Sequence, residues 1–150
     1  MRKQDFIFGI FLTALLIAYF FIMKGVNLHE NFNFRFVNVV FYFGITWMAI
    51  RNFYESNPDR EFNYISGVLA GFRPTVIGVF FFAVFQMIYL SGDDGLMTSI
   101  QEGAPMGESL NPFTASLFLL AEGVAAGLII SYLTMRIVDG RQIDDYEERL

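Results

Sequence analysis

The feature that most constrains this chain is the grouping of its apolar residues into long blocks. Residues 6–23, 36–50 and 74–90 contain no charged side chain, and residues 112–135 contain one carboxylate before Arg136. Blocks of this kind suit helices surrounded by lipid, whereas helices of soluble proteins carry a narrower apolar face. Because 55% of the 150 residues are hydrophobic, a small soluble core could not bury them all. We predict an all-α membrane protein with a single integral membrane domain.

Four transmembrane helices are predicted, over residues 6–23, 36–50, 74–90 and 112–135. Arg2 and Lys3 precede the first block, as they would in a signal peptide. No small-residue cleavage site follows Met23, so we expect a retained first helix. The second block is short, but Arg35 and Arg51 flank it and can direct their charged ends out of the lipid. We therefore count it as a span.

The positions of the basic residues predict the orientation, because Lys and Arg are retained on the cytoplasmic side of a membrane. Eight of the ten lie on one side of the four predicted spans, namely Arg2, Lys3, Arg51, Arg60, Arg73, Arg136, Arg141 and Arg149. Lys24 and Arg35 lie on the other side, and residues 91–110 contain no basic residue. Both termini are predicted to be cytoplasmic, in a bacterial inner membrane, with residues 91–110 as an external loop.

A short interfacial helix is predicted over residues 58–72, between the second and third spans. Its apolar residues recur at three- and four-residue spacing, at Phe62, Ile65, Leu69 and Phe72. This spacing gives one apolar face, which can lie along the membrane surface. Helical geometry is disfavoured for the residue that precedes a proline. We therefore expect a bend at Arg73–Pro74, where the interfacial helix leads into the third span.

Glu122 is the most informative polar residue, because it lies near the middle of the fourth predicted span. A carboxylate at that depth costs roughly 2 to 4 kcal/mol on insertion scales, so we expect it to be buried against protein or water. One interpretation is a proton or ion site, with Gln86 of the third span as a neighbour at similar depth. The other is a protonated or hydrogen-bonded glutamic acid that joins two helices.

Two pairs of glycines, each four residues apart, predict sites of close helix packing. Gly123 and Gly127 lie on the fourth predicted span, and Gly67 and Gly71 lie in the predicted interfacial helix. Small residues at this spacing let helix backbones approach closely. The partner helix could belong to this chain or to another subunit.

Several kinds of site find no support in the sequence. The chain has no cysteine, which excludes disulfides and thiolate metal sites, and the net charge of -5 gives no reason to expect nucleic-acid binding. His29 is the only histidine and stands beside Glu30 without a second ligand cluster. The carboxylates of the predicted external loop lack the spacing of a calcium loop. We expect no cofactor, no metal and no catalytic constellation.

Residues 62–72, with the sequence Phe-Asn-Tyr-Ile-Ser-Gly-Val-Leu-Ala-Gly-Phe, lead directly into the third predicted span. Together with the two opening spans and the Gly- and Ala-bearing last span, this stretch resembles a family of small bacterial four-helix membrane proteins of unknown function (domain of unknown function 4199 type). The resemblance implies the four-helix architecture but no activity and no site residues. The high phenylalanine content and Glu122 depart from that family's pattern.

Two functions remain open from the sequence. The packing motifs, the short polar segments and the lack of recognisable chemistry favour a structural or accessory subunit of a larger inner-membrane protein complex. Its partners would be the lipid bilayer and other membrane protein subunits. The alternative is a small transporter or ion- or proton-conducting oligomer that uses Glu122. An enzyme is not expected, because catalysis needs convergent acid, base, nucleophile or metal groups.

Overall fold

The computed structural model describes residues 3–26, 36–56, 63–103 and 107–147, and over these residues the chain is helical apart from short turns. The helices are α1 (Lys3–Gly25), α2 (Phe36–Glu55), α3 (Tyr64–Leu90), α4 (Asp94–Gly103) and α5 (Pro112–Glu147), with a 3-10 turn at Gly107–Ser109. The predicted all-α class is confirmed. His29 and Glu30 lie outside the described residues.

Within the described residues, three helices are long and apolar enough to cross a membrane. They are α1, α3 and the part of α5 from Pro112 to Val138. Helix α2 is more polar, since Asn38, Arg51 and Glu55 interrupt its apolar sequence. Large apolar side chains such as Phe11, at 51% exposure, lie on the outer surface of the bundle, as expected for residues that contact lipid.

Helix α3 lies at the centre of the bundle, where it contacts α1, α2 and α5. Thr13 of α1 donates a hydrogen bond to the carbonyl of Gly78 at 3.1 Å, and Lys24 bonds Tyr89 further along, so α1 and α3 run parallel. Both α2 and α5 run antiparallel to α3. The main core cluster contains Leu12, Leu16, Tyr42, Ile45, Val79, Phe82 and Ile130.

The interfacial helix predicted before the third span is not separate from it, because α3 runs as one helix from Tyr64 to Leu90 and contains Pro74. Asn63 caps its amino end by accepting a hydrogen bond from the backbone N–H of Ser66 at 3.2 Å. Residues 64–72 are therefore the first turns of α3, and residues 58–62 lie outside the described part. Neighbouring helices make a proline tolerable inside a membrane helix, and here Pro74 is buried.

The predicted external loop contains a helix that the sequence did not indicate, α4. Its residues Leu96 and Met97 are buried and form a second apolar cluster with Leu90 of α3. Phe20 of α1 and Ala115 of α5 pack against the same cluster. Helix α4 therefore covers the end of the bundle at which α1 and α3 finish and α5 begins.

Candidate functional site

The contact between α3 and α5 depends on glycines that leave room for side chains of the opposite helix. A methyl group added at Gly123 would lie 2.5 Å from Cγ1 of Val79, and one added at Gly127 would collide with Thr75. Real Cβ atoms do not approach this closely, so both positions need glycine for the observed helix separation. The structure therefore places Gly123 and Gly127 inside this chain's own bundle.

The other glycine pair lies on α3 itself, in its first turns. A methyl group at Gly71 would lie 2.6 Å from Cγ2 of Thr46, and one at Gly67 would collide with Met135 of α5. Gly71 is thus the point where α2 crosses close to α3. All four glycines singled out from the sequence lie at helix contacts within the chain.

These contacts define which residues of α3 and α5 lie at the same height in the bundle. Val79 is opposite Gly123, Thr75 is opposite Gly127, and Gly67 is opposite Met135. Each step along α3 is matched by one step backwards along α5, as in any antiparallel pair of similar helices.

Within this chain the side chain of Glu122 is exposed on α5, so its predicted burial against protein or water is not provided by the described residues alone. Gly123 faces α3, and Glu122, about 100° further around the helix axis, lies on the exposed side of α5. The apolar block predicts the depth of Glu122 in the membrane. The direction of its side chain depends on which face of α5 packs against the other helices. Glu122 interacts electrostatically with Tyr42 of α2, whose hydroxyl lies 3.2 Å from the Cβ position of Gly123.

Gln86 is buried, with 8% of its side chain exposed, but it does not lie at the depth of Glu122. The antiparallel alignment of α3 and α5 places Gln86 level with Ser116. Ser116 is six residues before Glu122, which corresponds to about 9 Å along the helix axis. The structure thus does not bring the two predicted site residues together.

A cluster of polar side chains closes the end of the bundle that α4 covers. The ammonium group of Lys24 donates hydrogen bonds to the Tyr89 hydroxyl and to the Asp93 carboxylate, and it lies 4.7 Å from the centre of the Tyr89 ring. The hydrogen bond from Lys24, followed by that from the Leu96 backbone N–H, holds the pKa of Asp93 below its usual value of 3.8. This arrangement ties α1 to the start of α4.

Asp5 is a buried polar residue that sequence reasoning missed. Its side chain is 2% exposed, in the first turn of α1. A carboxylate is favoured there by the partial positive charge of the helix amino end. The only indication of its burial in the sequence was its position, one residue before the first apolar block. Among the described residues, no group of three or more His, Asp or Glu side chains is arranged to hold a metal ion.

Comparisons with protein families, with characterised proteins and with solved structures find no match to this chain. The resemblance to the bacterial four-helix family therefore stays a prediction, and no residue role is carried over from a relative. Function has to be inferred from the geometry of the bundle.

Proposed function

We propose that this chain is a structural subunit of a larger protein assembly in the bacterial inner membrane, with no catalytic activity of its own. The observation that carries this proposal is the exposure of Glu122 on the outer face of α5, within the segment that is apolar enough to cross a membrane. A carboxyl group that faces lipid tails is costly, so intramembrane carboxyl groups are found against protein or water. A second protein packed on this face removes the cost.

The residues around Glu122 suit a helix as the covering element. Ala121 and Ala125 are also exposed and lie four residues apart on the same side of α5. Small residues at this spacing allow another helix to approach the backbone closely. This outer surface of Ala121, Glu122 and Ala125, here called the α5 outer face, is distinct from the inner face formed by Gly123 and Gly127.

The proposed topology has four spans with both termini in the cytoplasm. Helix α2 supports a fourth span because Thr46 lies 3.5 Å from Thr75 in the middle of α3, and Thr75 also faces α5. A membrane that surrounds α1, α3 and α5 at this height also surrounds α2. The excess of Lys and Arg on one side supports the orientation.

Photo-crosslinking in the native membrane tests the subunit proposal. A benzophenone amino acid at Ala125 samples the α5 outer face, and the same group at the exposed Phe11 of α1 is a control at similar height. We expect a crosslink from Ala125, but not from Phe11, to another membrane protein. Native mass spectrometry of the gently extracted chain should then show a larger complex. A lone monomer without crosslinks at Ala125 contradicts the proposal.

A second candidate is a small ion- or proton-conducting oligomer. The observation in its favour is the electrostatic contact between Glu122 and Tyr42, which connects the carboxyl group with the interface of α2 and α5. In proteoliposomes, Glu122→Gln should then abolish flux while the oligomer still assembles. Normal flux through the variant rules this candidate out.

A further inference from the structure

A groove runs along the outer surface of the bundle between α2 and α5. It is lined by Phe43, Gly44, Trp47 and Met48 of α2 and by Ile137 of α5, and its volume is about 520 Å³. The rings of Phe43 and Trp47 stack on each other with their centroids 6.1 Å apart. Clefts of this size with apolar linings are typical binding sites for apolar ligands. We call this feature the α2 groove.

The α2 groove is open because α2 carries no side chain at position 44. A Cβ atom added at Gly44 would have no neighbour within 4 Å among the described residues. The side chains around it are only partly covered, with Phe43 40% and Met48 49% exposed. A flexible hydrocarbon chain can fill an open, irregular space of this kind and gains dispersion contacts with the apolar side chains that line it.

The groove lies at the edge of the membrane-crossing part of the bundle. Ile137 is the second-last residue of the α5 segment that is apolar enough to cross a membrane, Pro112–Val138. On α2, Phe43 is eight residues before Arg51, which corresponds to about 12 Å along the helix axis. A lipid with its headgroup beside Arg51 would therefore have its acyl chain in the groove.

Arg51 follows the groove on the same face of α2. Met48 is four residues after Gly44 and Arg51 is three residues after Met48, and these spacings place side chains on one side of a helix. The Nε–H of Arg51 donates to Glu55 at 2.6 Å, one turn further from the groove, and both side chains are exposed. This ion pair leaves the terminal –NH2 groups of the guanidinium, which can donate parallel hydrogen bonds to a phosphate group.

The end of the bundle at which Arg51 lies is the basic end. Among the side chains that the structure describes there, the exposed basic residues are Lys3, Arg51, Arg73 and Arg136, and the carboxyl groups are Asp5 and Glu55. At the opposite end, the described charged side chains are Lys24, Asp93, Asp94 and Glu102. Basic side chains near a membrane surface attract anionic lipids, so an anionic headgroup suits the end at which the groove opens.

We propose that the α2 groove binds one acyl chain of an anionic phospholipid whose phosphate group is held by Arg51. The acyl chain runs past Met48 and Gly44 to Phe43, and Ile137 contacts it from the side of α5. This inference rests on the placement of α2 in the membrane proposed above. It does not depend on the larger assembly, because the α5 outer face at Ala125 is twelve residues, or about 18 Å, from Ile137.

Trp47 is the only tryptophan of the chain, so its fluorescence reports on the α2 groove. Bromine atoms on an acyl chain quench tryptophan on contact. The chain is reconstituted in phosphatidylcholine vesicles that contain equal small fractions of either brominated phosphatidylglycerol or brominated phosphatidylcholine. We expect the anionic lipid to occupy the groove with about fivefold preference at low ionic strength, as for one basic side chain at a membrane surface, and the preference should fall in high salt.

The other outcomes of this measurement overturn the proposal, and they separate it from the proposed topology. Equal quenching by the two brominated lipids shows that Trp47 faces lipid without selecting it. If neither lipid quenches, acrylamide, a water-soluble quencher, identifies the cause. Quenching by acrylamide places α2 outside the lipid and contradicts the four-span topology as well. Protection from acrylamide means that a protein, such as a second copy of this chain, occupies the groove.

Two substitutions test the headgroup contact and the acyl-chain contact separately. Arg51→Gln should abolish the preference for brominated phosphatidylglycerol, whereas Arg73→Gln, at an exposed position of α3 outside the groove, should retain it. Gly44→Leu fills the groove and should also abolish the preference, since its Cβ meets no described neighbour and the fold can accept it. Leu117→Phe, at a distant exposed position of α5, is its control. A preference that survives Arg51→Gln or Gly44→Leu contradicts the proposal.

Discussion

Asp93 accepts a hydrogen bond from Lys24 although 69 residues separate them in the sequence. The other oxygen of the same carboxylate accepts the backbone N–H of Leu96 at 3.0 Å, which caps the amino end of α4. One side chain therefore fixes the end of α1 and the start of α4 to each other. The covering helix α4 depends on this link for its position.

Replacing Asp93 should destabilise the protein more than replacing Lys24. Asp93→Ala removes both the cap and the ion pair, whereas Lys24→Met removes the ion pair and the contacts with Tyr89 but leaves the cap. We expect Asp93→Ala to lower the Tm by roughly 2 to 4 °C, with a smaller change for Lys24→Met. Thermal unfolding in lipid nanodiscs measures both. Equal shifts for the two variants would contradict the larger effect expected from losing the cap.

The interactions of Asp93 should make the folded protein less stable at acid pH. Its pKa lies below the usual value of 3.8 in the folded protein, because Lys24 and the Leu96 N–H stabilise the charged form. Its contribution is therefore fully present above that value and is lost as the pH falls through the lower, folded pKa. The Tm difference between the native chain and Asp93→Asn should be constant between about pH 5 and 7 and shrink in more acidic buffer. A difference that grows with acid would contradict the assigned sign.

Adding one methyl group at Gly123 should weaken the bundle, because it would lie 2.5 Å from Val79. Overpacking of this kind costs about 1 to 3 kcal/mol. Gly44 of α2 is a matched control, because nothing lies within 4 Å of the same added atom. Gly44→Ala should leave stability unchanged or raise it by up to about 1 kcal/mol, since alanine favours helices. Unfolding by a denaturing detergent compares the two variants.

A compensating change should identify the contact responsible. Val79→Ala removes the two methyl groups that Gly123→Ala would meet. The double variant should therefore be more stable than the sum of the two single changes allows, with a coupling of about 0.5 to 3 kcal/mol. If the effects of Gly123→Ala and Val79→Ala on stability are additive, the destabilisation by Gly123→Ala arises from a contact other than that with Val79.

Glu122→Leu should have opposite effects on the lone chain and on the assembly. The substitution removes a carboxylate from an exposed position of α5, so insertion of this helix should improve by roughly 2 to 4 kcal/mol in a translocon assay. In native membranes the same variant should reduce recovery of the larger complex. Ile129→Leu, another exposed α5 position, is the control and should alter neither measurement.

The apolar blocks were sufficient to predict the helical class and the position of the three most apolar helices, because a lipid environment demands long apolar segments. Helix α4 was missed because it is short and only three of its ten residues are hydrophobic. Its position depends on the surface formed by Leu90 and Ala115. The continuity of α3 through Pro74 was missed for a related reason. Local preference favours a break, but contacts with α1, α2 and α5 stabilise the helical conformation on both sides of Pro74.

The candidate site was harder to predict than the fold. Sequence spacing identified Gly123 and Gly127 as packing residues, but it could not show that their partner is α3 of the same chain. The position of Glu122 along the span was evident from the apolar block, whereas its exposure depends on which face of α5 packs against the other helices. The relative depth of Gln86 and Glu122 could not be predicted, because it depends on the alignment of α3 and α5 and not only on the lengths of the apolar blocks.

The central position of α3 sets the order in which the bundle can be completed during synthesis. Helices α1 and α2 leave the ribosome before α3, so α3 can pack against both as soon as it enters the membrane. Helix α5 is synthesised last and contacts α2 and α3. Until α5 enters the membrane, the side chains of Val79 and Thr75 cannot pack against Gly123 and Gly127. The nascent chain is then a three-helix intermediate in which one side of α3 is uncovered.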